Sequence, residues 1–167
     1  MFTRTIPAFL FSLVLAVPAL AQNTVFLVRH AERADSVPGA KPMMASDPDL
    51  SEAGRARAAS LATILKDAGI TGIYTTEFKR TQQTAEPLAK ALGLTPTVVK
   101  STDAAALAND LKSSKGNVLV VGHSNTIPEI VKSLGMTSPV TIADDEFDNL
   151  FILTTGGAPK LIRLHYR

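Results

Sequence analysis

The sequence predicts an α/β fold: three α/β/α layers around a mainly parallel central sheet. Three observations predict it. Strand-like and helix-like segments alternate along the chain. Two of the strand-like segments, Thr24-Val25-Phe26-Leu27-Val28 and Val118-Leu119-Val120-Val121, are near-continuous apolar runs, the pattern of strands covered on both faces. Gly- and Pro-containing breaks separate the segments, and no repeat, linker or low-complexity tract divides residues 22–167, which are read as one domain.

The elements follow in order. Met1-Phe2-Thr3-Arg4 is a short cationic start, Ile6–Leu20 is almost wholly apolar, and Ala19-Leu20-Ala21 offers a small-x-small cleavage site. Residues 1–21 are therefore read as a signal peptide cleaved after Ala21, and the apolar run is short for a membrane span. The expected location is the periplasm or the cell exterior, with no membrane anchor after cleavage. After the first strand, residues 34–50 carry Asp35-Ser36, Pro38-Gly39 and Lys41-Pro42 and read as a loop. Ser51 is placed to cap a helix from Glu52 to about Ala68, with Ala58, Leu61, Ala62, Leu65 and Ala68 on one face. Gly72–Thr75 is a short strand. Lys79–Leu92 is a helix with Ala85, Leu88, Ala89 and Leu92 inward, Gly93 as its stop and Pro87 as a source of kinking. Thr95–Lys100 reads as a strand. Asp103 is a candidate cap for a helix carrying Ala104, Leu107, Ala108 and Leu111. The buried strand 118–121 leads through Gly122 into a helix with Ile127, Ile130, Val131 and Leu134, Pro128 sitting in its first turn. Asn149–Thr154 and Lys160–Tyr166 read as a closing hairpin around Gly156-Gly157.

Composition excludes several functions. Seventeen Lys plus Arg against fifteen Asp plus Glu leave a net charge of +2, without the basic stripe of a nucleic-acid binder. Hydrophobic residues at 46% and charged ones at 19% exclude a disordered chain. With no cysteine there can be no disulfide, thiolate nucleophile or cysteine zinc ligand. Two Tyr and no Trp give little for a sugar-stacking platform.

Histidine chemistry is confined to His30, His123 and His165. His30 and His123 each closely follow a buried apolar run, so parallel strands would bring both to one sheet edge, where ligands bind in such folds. Arg29 and Arg33 flank His30, and three cationic groups at one strand end call for an anion. Arg80 starts a helix in Phe78-Lys79-Arg80-Thr81, and His123 in Gly122-His123-Ser124-Asn125 precedes a helix N-terminus, itself favourable to anions. His165 has no neighbour at metal-ligand spacing and reads as structural or exposed.

These motifs resemble the histidine phosphatase superfamily, also called phosphoglycerate mutase-like. Arg29-His30-Ala31-Glu32, Arg80-Thr81-x-x-Thr84-Ala85 and Gly122-His123-Ser124-Asn125 match its signature in order, and Leu50-Ser51-x-x-Gly54 is similar to its Leu-Thr-x-x-Gly helix start. Ala31 departs from the usual Gly. The resemblance implies a phosphatase that forms a phosphohistidine on His30, with Arg29, Arg80 and a protonated His123 holding the phosphoryl oxygens, and no metal or cofactor. Arg33 resembles a further phosphate-binding Arg of the acid-phosphatase branch; an exposed loop charge is its other reading. The proton donor stays open among Asp103, Glu32, Glu77, Asp144, Asp145 and Glu146, because Ser124 stands where the acid-phosphatase branch has an Asp. The expected partner is a small phosphorylated substrate or a phosphoprotein. Two rival readings remain: a phosphate-ester binder without turnover, and a serine hydrolase using Ser124 with Asp145 and His165 in chain order.

Overall fold

The computed structural model describes residues 23–36 and 47–167. The expected signal peptide, and positions 37–46 of the expected loop, lie outside them. Six strands, β1 (Thr24–Arg29), β2 (Ile70–Thr76), β3 (Thr97–Val99), β4 (Asn117–Gly122), β5 (Asn149–Thr154) and β6 (Lys160–His165), form one sheet in the order β3-β2-β4-β1-β5-β6. β3, β2, β4 and β1 run parallel, and the β5–β6 hairpin adds antiparallel beside β1. The helices are α1 (Glu52–Leu65), α2 (Lys79–Leu92), α3 (Ala104–Ser113) and α4 (Thr126–Ser133).

Strand alternation sorts the core into two layers. Val25, Leu27, Val118 and Val120 face α3 and α4, meeting Leu107, Leu111, Ile127 and Ile130. Phe26, Val28, Leu119 and Val121 face α1 and α2, meeting Leu61, Leu65, Ala85 and Leu88. Both faces of β1 and β4 are thus covered, which is why their sequences are apolar runs rather than alternations.

Several local expectations shift. α1 ends at Leu65 rather than near Ala68, and β2 extends to both sides of residues 72–75. β3 covers Thr97–Val99 only; it lies at the sheet edge, where one side has no ladder to extend it. α2 continues through Pro87, and its first amide is capped from afar: both Asp47 oxygens accept from Lys79 N at 3.0 Å. Asp103 precedes α3, but its carboxylate accepts from Thr102 Oγ1 instead of capping the helix. Ser51 does cap α1, accepting from Gly54 N at 3.0 Å. Gly54 is required there, since a Cβ would lie 2.2 Å from the Glu32 carbonyl oxygen. That approach lets α1 close on the segment after β1, tied further by Ser51 N donating to Glu32 O at 2.9 Å.

Candidate active site

β1 and β4 are neighbours in register, with Arg29 opposite Gly122. The chain leaves both strands at the same edge, so His30 and His123 follow directly and their ring centroids lie 5.4 Å apart. His30 N donates to Gly122 O at 2.9 Å, locking the two exits together. Both imidazoles are buried.

His30 Nδ1 lies 2.8 Å from the Ala31 carbonyl oxygen. A carbonyl only accepts, so Nδ1 carries the hydrogen and Nε2 is bare. Ala31 is in turn fixed, its N donating to Thr84 Oγ1 at 3.0 Å while Thr84 Oγ1 donates to Arg80 O at 2.7 Å. Ala31 is fully buried against Leu50 and Ala58, and no non-glycine among the described residues has positive φ. The usual Gly is therefore replaced here without backbone strain. Burial, with His123, Arg80 and Arg29 adding to it, lowers the His30 pKa to about 3 despite the opposing Ala31 bond.

The two arginines are mounted alike. Arg29 lies 4.2 Å above the Phe147 ring, and Arg80 lies 4.2 Å above the Phe78 ring. Arg29 Nη1 donates to the carbonyls of Ala143, Asp144 and Glu146 at 2.8, 3.0 and 3.2 Å. Arg80 Nη1 pairs with Asp47 at 3.5 Å. In both residues Nε is buried without a hydrogen-bond partner among the described residues. Burial lowers the pKa of each, although an arginine stays charged at neutral pH. Two desolvated guanidinium groups beside two histidines gather the donors that a tetrahedral oxyanion needs.

Arg33, the further candidate, is occupied differently. Its Nε and Nη2 bind Asp35 bidentately at 2.8 and 2.7 Å, and its side chain is 37% exposed. The exposed loop pair is what the structure holds. For His123, burial first, then Arg80, lowers the pKa to about 4, so without a bound anion the ring is neutral at pH 7.

The candidate acids are mostly engaged elsewhere. Glu32 receives Arg57 Nε and Nη2 at 2.7 to 3.0 Å. Burial raises its pKa, but the Arg57 bonds outweigh that and the net shift is downward. Glu77 accepts from Ser101 N and Oγ at 2.8 and 3.0 Å. Burial raises Glu77 too, and backbone and Ser101 bonds turn the net shift downward. Glu146 accepts from Ala143 N and from Arg163, and it too is lowered. A general acid for neutral pH needs the opposite shift. Asp103 is held by Thr102, Asp144 contributes its carbonyl to Arg29, and no hydrogen bond links Asp145 to the histidine pair among the described residues. The serine-hydrolase geometry is not formed: His165 on β6 pairs with Asp148 at 3.2 Å, and Ser124 bonds neither to it nor to Asp145 among the described residues. No cluster of three or more His, Cys, Asp or Glu among those residues is arranged for a metal ion.

Sequence reasoning missed Phe147, Asp47, and the supporting roles of Phe78, Thr76, Thr81 and Thr84. Thr84 stands four residues after Arg80, so helix spacing could have flagged it, whereas Phe78 is the extended N-cap residue before α2, where that spacing does not apply. Phe147 is far in sequence from Arg29, and nothing in the chain announces that contact.

A family model for the histidine phosphatase superfamily, branch 1, matches residues 25–103, a span that holds His30 and Arg80 and stops short of His123. Among solved structures, the chain is similar to a mycobacterial glucosyl-3-phosphoglycerate phosphatase in complex with VO3, at 16% identity and TM-score 0.66, covering 86% of this chain and 98% of that one. It is also similar to a phosphoserine phosphatase variant from Entamoeba histolytica in complex with phosphoserine, at 16% identity and TM-score 0.63, covering 83% and 94%. The protein histidine phosphatase SixA, complexed with tungstate, aligns at 21% identity and TM-score 0.59, covering 85% and 96%. A search of curated proteins found no match. The fold is one shared with solved structures of phosphatases. Over residues 25–103 the chain is similar to the histidine phosphatase superfamily.

Proposed function

We propose that the protein is a metal-independent phosphomonoester hydrolase that works through a phosphohistidine on His30. One observation carries the reading: the Nδ1–H bond to the Ala31 carbonyl leaves Nε2 bare beside two buried, unpartnered arginine Nε groups. The bare nitrogen attacks phosphorus, an N–P bond forms, and the ester P–O bond breaks with its electron pair on the leaving oxygen. That oxygen takes a proton. Water then attacks the phosphohistidine, the N–P bond breaks, and inorganic phosphate leaves while His30 regains its lone pair. Arg29 and Arg80 hold the phosphoryl oxygens throughout, and their charge matters most as it shifts between attacking and leaving atoms. A bound phosphate brings negative charge to His123 and raises its affinity for a proton, which restores the cationic role expected of it.

Glu32, Glu77, Asp103 and Glu146 are engaged elsewhere, which favours substrates whose leaving group needs little acid help, such as a phosphate or a histidine nitrogen. The neighbour SixA, by its name a protein histidine phosphatase, and the glucosyl-3-phosphoglycerate phosphatase span the candidate range from phosphoprotein to small phosphoester. The N-terminal cationic and apolar pattern supports action in the periplasm or outside the cell.

The test is p-nitrophenyl phosphate hydrolysis in EDTA, with acid-stable and acid-labile phosphoenzyme separated after quenching. Turnover that survives EDTA, disappears in His30→Ala and passes through an acid-labile phosphoenzyme is expected. Turnover unchanged in His30→Ala would overturn the reading, and retained phosphate binding without any wild-type turnover would favour a binder.

A further inference from the structure

The mechanism above does not use the buried hydroxyls beneath His123. Thr76 Oγ1 lies 2.9 Å from His123 Nε2 and 3.0 Å from Thr81 Oγ1. Thr81 Oγ1 also contacts the carbonyl oxygens of Phe78 at 2.7 Å and Thr76 at 3.1 Å. Each hydroxyl has one hydrogen to give. Carbonyls cannot donate, and the Phe78 carbonyl is the shortest contact of Thr81 Oγ1, so the Thr81 hydrogen points there and Thr81 Oγ1 accepts from Thr76. The Thr76 hydrogen is then spent, and Thr76 Oγ1 must accept from His123 Nε2. The hydrogen therefore sits on Nε2, and Nδ1 is bare. An independent contact agrees: Arg80 Nη2, which can only donate, stands 3.5 Å from Nδ1. His123 itself is held from the other side, its N donating to Thr126 Oγ1 at 2.8 Å.

We infer that Thr76 and Thr81 are positioning residues that fix His123 in the Nε2–H tautomer, so that Nδ1 faces Arg80 and gives up that contact to take the proton carried by an incoming phosphoryl group. The inference deepens the phosphatase reading and rests on it for the identity of the anion. A phosphoryl oxygen without a proton would meet the Nδ1 lone pair; a P–O–H group donates to it, or Nδ1 takes a proton as the anion arrives. The charged and titratable groups around His123 are Arg80, Arg29, His30, Glu77 and Asp47. Only Arg80 among them makes a hydrogen-bond-range contact with the ring.

The test combines long-range proton–nitrogen NMR of 15N-histidine-labelled protein at pH 7 with steady-state kinetics on p-nitrophenyl phosphate. The wild type and Thr76→Ser are expected to show His123 as Nε2–H. Thr76→Val and Thr81→Val are expected to populate Nδ1–H, the second because the freed Thr76 hydrogen can turn toward Nε2. Thr76→Val should lower kcat about tenfold with a smaller change in KM, and Thr76→Ser should recover it. An Nδ1–H signal in the wild type overturns the inference, as does an Nε2–H signal unmoved in both valine variants. A wild type with no turnover would sink the phosphatase reading alone, because the tautomer is read without turnover.

Discussion

The exits of β1 and β4 carry one histidine each, and the two are prepared in opposite ways. At the β1 exit, a backbone carbonyl takes the Nδ1 hydrogen of His30 and leaves Nε2 bare. At the β4 exit, a side-chain hydroxyl takes the Nε2 hydrogen of His123 and leaves Nδ1 bare. A backbone carbonyl cannot turn into a donor, so the neutral His30 ring keeps its hydrogen on Nδ1. A hydroxyl can give or take, so the His123 tautomer depends on what stands behind the hydroxyl. The difference teaches that one sheet edge can hold the same side chain twice, 5.4 Å apart, with a different ring nitrogen left bare in each.

The arginines offer the largest break of that comparison. Arg29 serves the β1 exit and Arg80 the β4 exit, each presenting a buried, unpartnered Nε. Arg29→Ala and Arg80→Ala should each cost about 10²- to 10³-fold in kcat/KM for p-nitrophenyl phosphate, the usual loss for one oxyanion donor. Lysine at either position should recover little, since a point charge cannot reproduce the guanidinium edge. Full activity in Arg80→Lys would mean that charge alone, not geometry, holds the anion.

Acid stability comes next. Both histidines have folded pKa values, about 3 and about 4, below the ordinary 6.5. The unfolded chain therefore binds protons that the folded chain refuses as pH falls through 6.5. The stabilising contribution is fully present above that value and is lost progressively down to the folded pKa values. By pH 5 each histidine should have cost about 2 kcal/mol of unfolding free energy. Urea titrations at pH 7 and pH 5 measure it. Added inorganic phosphate should restore part of the loss at pH 5, and His30→Asn should flatten the pH dependence. A stability unchanged between the two pH values would show that the histidines are less desolvated than their burial indicates.

A smaller effect sharpens the contrast between the two phenyl shelves. Phe147→Ala removes the ring under Arg29, worth about 1 kcal/mol, so kcat/KM should fall about fivefold while the Nδ1–H signal of His30 stays put. Smallest of all is Arg33→Ala, expected within about threefold of wild type, because Arg33 is spent on a half-exposed pair with Asp35. A hundredfold loss in that variant would return Arg33 to the phosphate pocket.

Much of this was legible in the sequence for stated reasons. The apolar runs 24–28 and 118–121 announced strands covered on both faces, and helix punctuation at Ser51 and Gly93 marked the ends that the structure shows. His30, Arg80 and His123 were legible as a set because each follows or opens an element at the edge where parallel strands end. The acceptor for the His30 ring is the carbonyl of the next residue, Ala31, so that contact is local in sequence. Asp103 misled because an acidic residue before an apolar helix reads as a cap, whereas Thr102 captures its carboxylate. Arg33 stayed ambiguous because its partner, Asp35, is two residues away and equally readable as a loop charge.

The sequence by itself determined the strand and helix alternation, the buried faces and the residues capable of holding a phosphoryl group. These follow from local periodicity and from side-chain chemistry, which neighbours in the chain are enough to express. Only the tertiary structure decided the order β3-β2-β4-β1-β5-β6, the shelf of Phe147 beneath Arg29 and the direction of each imidazole hydrogen. Those depend on contacts between residues far apart in sequence, such as the 114 positions from Arg29 to the Ala143 carbonyl, and a tautomer is fixed only when every donor and acceptor around it has been counted.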